Sequence, residues 1–285
     1  MNAPKAKQPS TDQRALLATC VAAAAQAAAV IRAGAARRDR LVWETKTRAD
    51  FVSEVDRDSE QVLAEVIRGR HPESRLIAEE GSPALTDFAG LVFIADPLDG
   101  TTNFLHGFPW YAVSIAAVVD GEILAGAVLN AATGELFTAT AGGGARRAGQ
   151  PIAVSKIDDP TRALIGTGFP FKEGNDYTDR YLAALPSIMM ESAGIRRPGS
   201  AALDLADIAC GRFDAFWEMM LAPWDISAGI LLVREAGGVI TNLIGDPCPI
   251  AHTSVVAGNP IMHAWLLSRV GRSSTSQPVV ALPID

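Results

Sequence analysis

The stretch Phe93 to Phe104, Phe-Ile-Ala-Asp-Pro-Leu-Asp-Gly-Thr-Thr-Asn-Phe, constrains this chain more than any other. The apolar run Leu91 to Ala95 reads as a short buried strand, because it is continuous, rich in β-branched and aromatic residues, and closed by Pro97. Two carboxylates, Asp96 and Asp99, stand three apart at its end. Gly100 then permits a sharp turn, and Thr101 and Thr102 read as the first residues of a helix. Such a junction leaves backbone N–H groups unpaired, and groups of that kind bind phosphate. Two acids beside an anion site repel an anion unless divalent cations lie between them. The local chemistry therefore points to metal-assisted handling of a phosphate group. Taken alone, Asp-Gly-Thr is more often a plain turn and cap; the rest of the chain has to decide.

A chain of 285 residues can bury a sizeable core as one large domain or two intimate halves. With 25 Lys plus Arg against 32 Asp plus Glu the net charge is −7, which argues against a nonspecific nucleic-acid binder. An anionic substrate must then be drawn in by bound cations rather than by the overall field. Cys20, Cys210 and Cys248 match neither a zinc spacing nor a disulfide framework, as suits a reducing cytoplasm. His71, His106, His252 and His263 show no paired spacing. The Ala-rich segment Ala15 to Ile31 follows basic residues as a signal peptide does. Gln26 interrupts it, however, and alanine is a helix former before it is an apolar residue, so it reads as an amphipathic helix.

In chain order, residues 1–11 read as a flexible lead. A helix runs from about Ser10–Asp12 to Gly34–Arg38, followed by extended pieces over Leu41 to Val55. Asp56 is placed as the N-cap of a helix over Arg57 to Arg70. A brief strand, Leu76 to Ala78, delivers Glu79 and Glu80 into a loop. Asp120-Gly121 between apolar runs predicts a hairpin, and Leu136 to Thr140 continues it. Gly142-Gly143-Gly144 reads as a turn, not a nucleotide loop. Beyond Pro151 helices are expected at 176–191, 200–210, 226–236 and 260–270, with strands at 164–166, 195–197, 213–217, 239–241 and 254–257. Residues 272–285 read as a loose tail.

Glu79, Asp96, Asp99 and Asp225 thus each fall at a strand end or a strand-to-helix junction. Hard cations take oxygen ligands, and a two-metal site needs several carboxylates. Asp225 alone is equally well a plain N-cap, and Asp50 is read as structural. Asp-Pro-Leu-Asp-Gly-Thr-Thr-Asn-Phe, Ala-Glu-Glu at 78–80 and Pro-Trp-Asp-Ile-Ser-Ala-Gly at 223–229 together resemble the inositol monophosphatase family. So do Asp-Phe-Val-Ser-Glu-Val-Asp at 50–56 and Gly-Ser-Ala-Ala-Leu-Asp-Leu-Ala at 199–206. The match covers residues 12–271 in order.

The resemblance implies one domain, 12–271, with an α+β half over about 12–150 and an α/β half over about 151–271, layered as an αβαβα sandwich. It implies two or three Mg2+ ions, lithium sensitivity and a cytoplasmic homodimer acting on a small phosphorylated substrate, with no membrane or nucleic acid required. Glu79, Asp96 and the carbonyl of Leu98 would hold one metal. Asp96, Asp99 and Asp225 would hold the second, and Glu79 would reach a weaker third. Asp56 and Thr101 would orient water, with Glu79 also in the catalytic set, and the N–H groups of Gly100, Thr101 and Thr102 would hold phosphate. Lys46 matches a family lysine or simply faces solvent. Gly199, Ser200, Ala201 and Glu218 would meet the alcohol half of the substrate, with Asp99 and Asp225 beside it. Ser53 replaces the commoner threonine, and Asn242 stands where the family often has aspartate.

The expected reaction is hydrolysis of inositol monophosphate by direct attack of water, with fructose bisphosphate, histidinol phosphate or a nucleotide as alternative substrates. An aspartyl-phosphate mechanism needs its aspartates two apart, whereas Asp96 and Asp99 are three apart. A silent regulatory scaffold would be expected to have lost a ligand, and none is missing.

Overall fold

Alanine's helix preference and the three- and four-residue spacing of Leu16, Cys20, Ala23, Ala24, Ala27, Ala28 and Ile31 produce one long helix, α1 (Thr11–Ala35), with a single buried face. In the computed structural model residues 11–47, 50–81, 87–170 and 177–271 are described. By length and composition α1 could cross a membrane, but its apolar face is a core face, packed on the strands described next. The expected tails lie outside the described residues apart from Thr11, as does residue 176, the expected start of a later helix.

β1 (Trp43–Thr47) and β2 (Asp50–Ser53) pair antiparallel and lead into α2 (Glu54–Arg70). This helix starts earlier than the sequence suggested. Ser53, not Asp56, is the N-cap, its Oγ accepting the Val55 N–H at 3.2 Å. Asp56 sits inside the first turn and accepts the Ser53 N–H at 2.9 Å, completing a capping box.

Seven strands then form one sheet: β3 (Arg75–Ala78), β4 (Leu91–Asp99), β5 (Ala112–Val119), β6 (Glu122–Asn130), β7 (Leu136–Thr140), β8 (Gly144–Arg147) and β9 (Gln150–Pro151), in that spatial order. Only β3–β4 is parallel. Pro97 does not close β4. The strand continues to Asp99, and its register against β5 shifts between Asp96 and Asp99. An irregular step of this kind tolerates a residue without an N–H. The expected hairpin turns at Asp120 (φ 48°) and Gly121 (φ 85°). The Gly142–Gly144 turn holds an anion of its own: Glu235 accepts the N–H groups of Gly142 and Gly144 at 2.7 and 2.8 Å. β8 and β9 were not foreseen, being too short to show alternation. Between β4 and β5 lies α3 (Thr101–His106).

A five-stranded sheet follows, built from β10 (Leu164–Thr167), β11 (Gly194–Arg196), β12 (Ala215–Leu221), β13 (Val239–Thr241) and β14 (Thr253–Gly258), in the order β11-β10-β12-β14-β13. Its helices are α4 (Tyr177–Glu191), α5 (Ala201–Ala209), α6 (Pro223–Glu235) and α7 (Pro260–Val270). β12 extends to Leu221, and α6 begins at Pro223, so Asp225 lies within its first turn rather than ahead of it. Proline is tolerated at that first position.

The packing gives the layers. α1 and α2 cover one face of the large sheet, α5 and α6 lie between the two sheets, and α4 and α7 cover the far face of the small one. The architecture is the expected αβαβα sandwich. With both faces covered, β4, β5 and β6 are buried almost continuously.

Candidate active site

Strand β4, with both faces covered, ends in an acid cluster because its last residues emerge where α3, α5 and α6 all begin. Asp96 is 1% exposed, and its Oδ1 accepts the Leu98 N–H at 2.9 Å. Asp99 Oδ2 accepts the Ser200 hydroxyl at 2.6 Å and the Ala202 N–H at 2.8 Å, tying β4 to the start of α5. Asp225 Oδ2 accepts the Ala222 N–H at 2.7 Å. Each aspartate is thus anchored through one oxygen. Among the described residues, Asp96 Oδ2 and Asp225 Oδ1 receive no hydrogen bond.

The group is electrostatically tense. Burial, reinforced by Glu79, Asp99 and Asp225, holds the Asp96 carboxyl well above its ordinary range. Burial, then the charges of Asp99 and Glu79, does the same to Asp225. Asp99 is pushed up by burial to about 6, held down by the hydrogen bonds from Ser200, Ala202 and Ala201 and by the charge of Arg197. Like charges so placed raise one another's pKa and call for a cation. An all-oxygen donor set suits Mg2+ or Ca2+. Among the described residues no three acidic, histidine or cysteine side chains already stand as a finished metal cage. The acids bear on one another electrostatically without forming such a cage.

Beside them lies a buried polar pair. Thr101 Oγ1 stands 2.8 Å from Asp56 Oδ1 and 3.0 Å from the Leu98 carbonyl. Asp56 Oδ2 also accepts the Ser53 hydroxyl at 2.7 Å, so serine serves where threonine is commoner. Burial raises the Asp56 pKa, and the Ser53 and Thr101 hydrogen bonds work against that rise. Gly100 has φ +92°, and a β-carbon there would stand 3.0 Å from the Trp110 carbonyl and 3.2 Å from that of Gly199. Only glycine fits. The first N–H groups of α3, at Thr101 and Thr102, have no acceptor within their own helix.

The expected alcohol-side residues divide. Ser200 is the N-cap of α5 and, with the N–H of Ala202, engages Asp99. Gly199 (φ +95°) and Ala201 flank it. Glu218 lies on β12 opposite Val255, within electrostatic reach of Asp225, and Gly168 leaves the room its carboxyl fills. Glu79 follows the end of β3, and its charge bears on Asp96 and Asp225. The side chain of Lys46, and that of Asp50, lie outside the described residues. Asn242 is a turn residue, its Oδ1 accepting the N–H groups of Ile244 and Asp246 at 3.0 Å each.

Three contributors were missed. Asn103 Nδ2 donates to the carbonyls of Trp110 (2.7 Å) and Pro198 (2.8 Å), locking α3 to the segment before α5. Arg197 lies 5.3 Å over the Phe169 ring and near Asp99. Asp204, buried in α5, lies within electrostatic reach of Glu218 and Asp99. Asn103 and Asp204 belong to quoted motifs but had no assigned role, and nothing local marks Arg197.

Comparison with known proteins gives a family and a set of relatives. The model of the inositol monophosphatase family matches residues 12–275. A Pseudomonas aeruginosa protein named Nus factor SuhB is 40% identical over 258 residues, covering 90% of this chain and 95% of that one. An inositol-1-monophosphatase of Rhizobium meliloti is 46% identical over 211 residues, 74% of this chain and 79% of the relative. The crystal structure of extragenic suppressor protein suhB from Bartonella henselae superposes with a TM-score of 0.85 at 38% identity, covering 91% of this chain and 99% of that one.

Proposed function

The chain belongs to the inositol monophosphatase family of phosphatases, and from that premise we propose that it hydrolyses inositol monophosphate with the help of Mg2+. The observation that carries the reading is the meeting of Asp96, Asp99 and Asp225 beside the Asp56–Thr101 pair, at the mouth of a turn that only Gly100 fits. Glu79, Asp96 and the Leu98 carbonyl would hold one ion, Asp96, Asp99 and Asp225 a second, and Glu79 a weaker third. Bound there, Mg2+ supplies Lewis acidity toward the phosphoryl oxygens, the attacking water and the departing alkoxide.

The chain's own residues do the rest. Thr101 donates a hydrogen bond to Asp56, keeping its proton, and turns a lone pair outward to accept from a water molecule, fixing its orientation for in-line attack. The N–H groups of Gly100, Thr101 and Thr102 receive the phosphoryl oxygens. Gly199, Ser200 and Ala201 border the alcohol half, and Glu218 accepts from its hydroxyls. No phosphorylated aspartate is formed. The same reading makes the protein a cytoplasmic, lithium-sensitive homodimer.

Phosphate release should be assayed against inositol, sugar, nucleotide and histidinol phosphates with and without Mg2+. Mg2+-dependent release that is greatest with inositol monophosphate supports the reading. A protein inactive across the panel, or one whose Asp96 can be trapped as a phosphoenzyme, contradicts it. The relatives named Nus factors favour a regulatory role carried alongside catalysis. A catalytically dead Asp99→Asn variant that still supports such a role would separate the two.

A further inference from the structure

Three separate segments are fastened to the opening turns of one helix, α2. Asp56 accepts from Thr101 of α3 at 2.8 Å. Arg57 makes a two-pronged ion pair with Glu44 of β1, one arm being Nη1 to Oε1 at 3.0 Å. Glu60, one turn beyond Asp56 on the same side of the helix, accepts the backbone N–H of Glu80 at 2.8 Å.

The Glu60 contact is close-fitting. A β-carbon on Gly81 would stand 2.6 Å from Glu60 Oε1, so the carboxylate rests directly against the chain leaving Glu80. This matters because sheet pairing gives no support there. The last β3–β4 partners are Ala78 and Ala95, and Glu79 is already past the ladder. The Glu60 carboxylate is half-buried there. Its place is explained by the N–H it holds, since a charged acceptor makes the stronger kind of hydrogen bond.

We propose that Glu60 is a positioning residue: by gripping the Glu80 N–H it sets the backbone of the 79–81 turn, and so the direction in which Glu79 faces Asp96, Asp99 and Asp225. One helix then keeps the water-orienting pair and the glutamate arm of the cation site in register. The inference rests on the phosphatase reading, because the consequence of a misplaced Glu79 is weaker Mg2+ binding.

Mg2+ titrated into the full chain by calorimetry tests it, with phosphate release followed in parallel. Glu60→Ala, which removes the acceptor, should weaken Mg2+ binding by about tenfold or more, the size expected when a group supporting a metal ligand is lost. Glu60→Gln keeps an oxygen for the Glu80 N–H and should stay within about threefold of wild type, a neutral acceptor being weaker but still present. Gly81→Ala pushes the turn off Glu60 from the other side and should weaken Mg2+ binding as Glu60→Ala does. Unchanged Mg2+ affinity in a folded Glu60→Ala protein overturns the inference and leaves the phosphatase reading intact. Glu60→Gln as weak as Glu60→Ala also overturns it, by making the charge rather than the grip essential. A wild type that binds no Mg2+ ends both.

Discussion

The Thr101 hydroxyl points at the buried carboxylate of Asp56, 2.8 Å away, and the same carboxylate is held from behind by both the hydroxyl and the N–H of Ser53. Asp56 therefore cannot swing toward a cation. Its fixed task is to accept from Thr101, which leaves the threonine oxygen an acceptor toward the open side.

From this follows a clean substitution. Thr101→Val keeps the shape and deletes the hydroxyl, and should lower kcat by about 10²- to 10⁴-fold, the range for loss of a positioned proton-handling group. KM and Mg2+ affinity should move little, because the hydroxyl is not counted among the metal ligands. Thr101→Ser should restore most of the rate. Steady-state phosphate release is the measurement, and a Val variant with normal kcat would remove the pair from the mechanism.

Metal binding should be linked to protons. In the metal-free protein Asp99 is pushed up to about 6, and Asp96 and Asp225 are held well above their usual range, by burial first and by one another next. Groups raised in the folded state stabilise it while protonated, below their unfolded values near 4, and that contribution is lost as pH rises through about 6. A cation replaces those protons. Mg2+ affinity should therefore rise with pH across and above 6, and calorimetry in buffers of different ionisation enthalpy should show proton release. The Mg2+-induced rise in Tm should be larger at pH 8 than at pH 5.5. An affinity flat across that range would mean the acids are not the ligands.

Gly100 has no substitute. Alanine there must adopt φ +92° and meet two carbonyl oxygens at 3.0 and 3.2 Å. Gly100→Ala should cost about 1–3 kcal/mol of stability from backbone strain, visible as a lower Tm and urea midpoint. Phosphate release should fall further than stability explains, because the turn that presents the α3 N–H groups is displaced.

How far the sequence carried these arguments differs from residue to residue. Asp96, Asp99, Gly100 and Thr101 were legible because strand, turn and helix signals follow one another within a dozen residues. The layers were legible because apolar runs and periodic segments alternate along the chain. What was not legible depends on distant partners. Pro97 looked like a strand end because a missing N–H ends most strands, and only the shifted pairing with β5 accommodates it. Asp56 and Asp225 looked like caps, and both lie one turn in, because Ser53 and Ala222 offer N–H groups that a first-turn carboxylate reaches. Glu60 read as an ordinary polar helix position, since its partner at Glu80 is contributed by another element.

Asp204 gives the last test. It is 1% exposed on α5, between the two sheets, and neither carboxylate oxygen has a hydrogen-bond partner. The Trp110 indole faces it and lowers its pKa slightly, yet the indole N–H also stays without a partner, so the contact falls short of a bond. Burial, followed by the charges of Glu218, Asp99 and Asp207, raises this carboxyl well above its ordinary range. The sign is that of any acid raised on folding: stability is greatest with the proton on and falls as pH climbs through the folded-state value. Asp204→Asn is nearly isosteric and carries no charge to desolvate. In metal-free protein at pH 8 it should be more stable than wild type by about 1–2 kcal/mol, the scale of an unmade buried hydrogen bond or more. The gain should shrink as pH falls, because protonation of the aspartate relieves the same penalty. Urea unfolding at several pH values reads this directly, and parallel pH profiles for the two proteins would show that Asp204 already has a partner that relieves its charge.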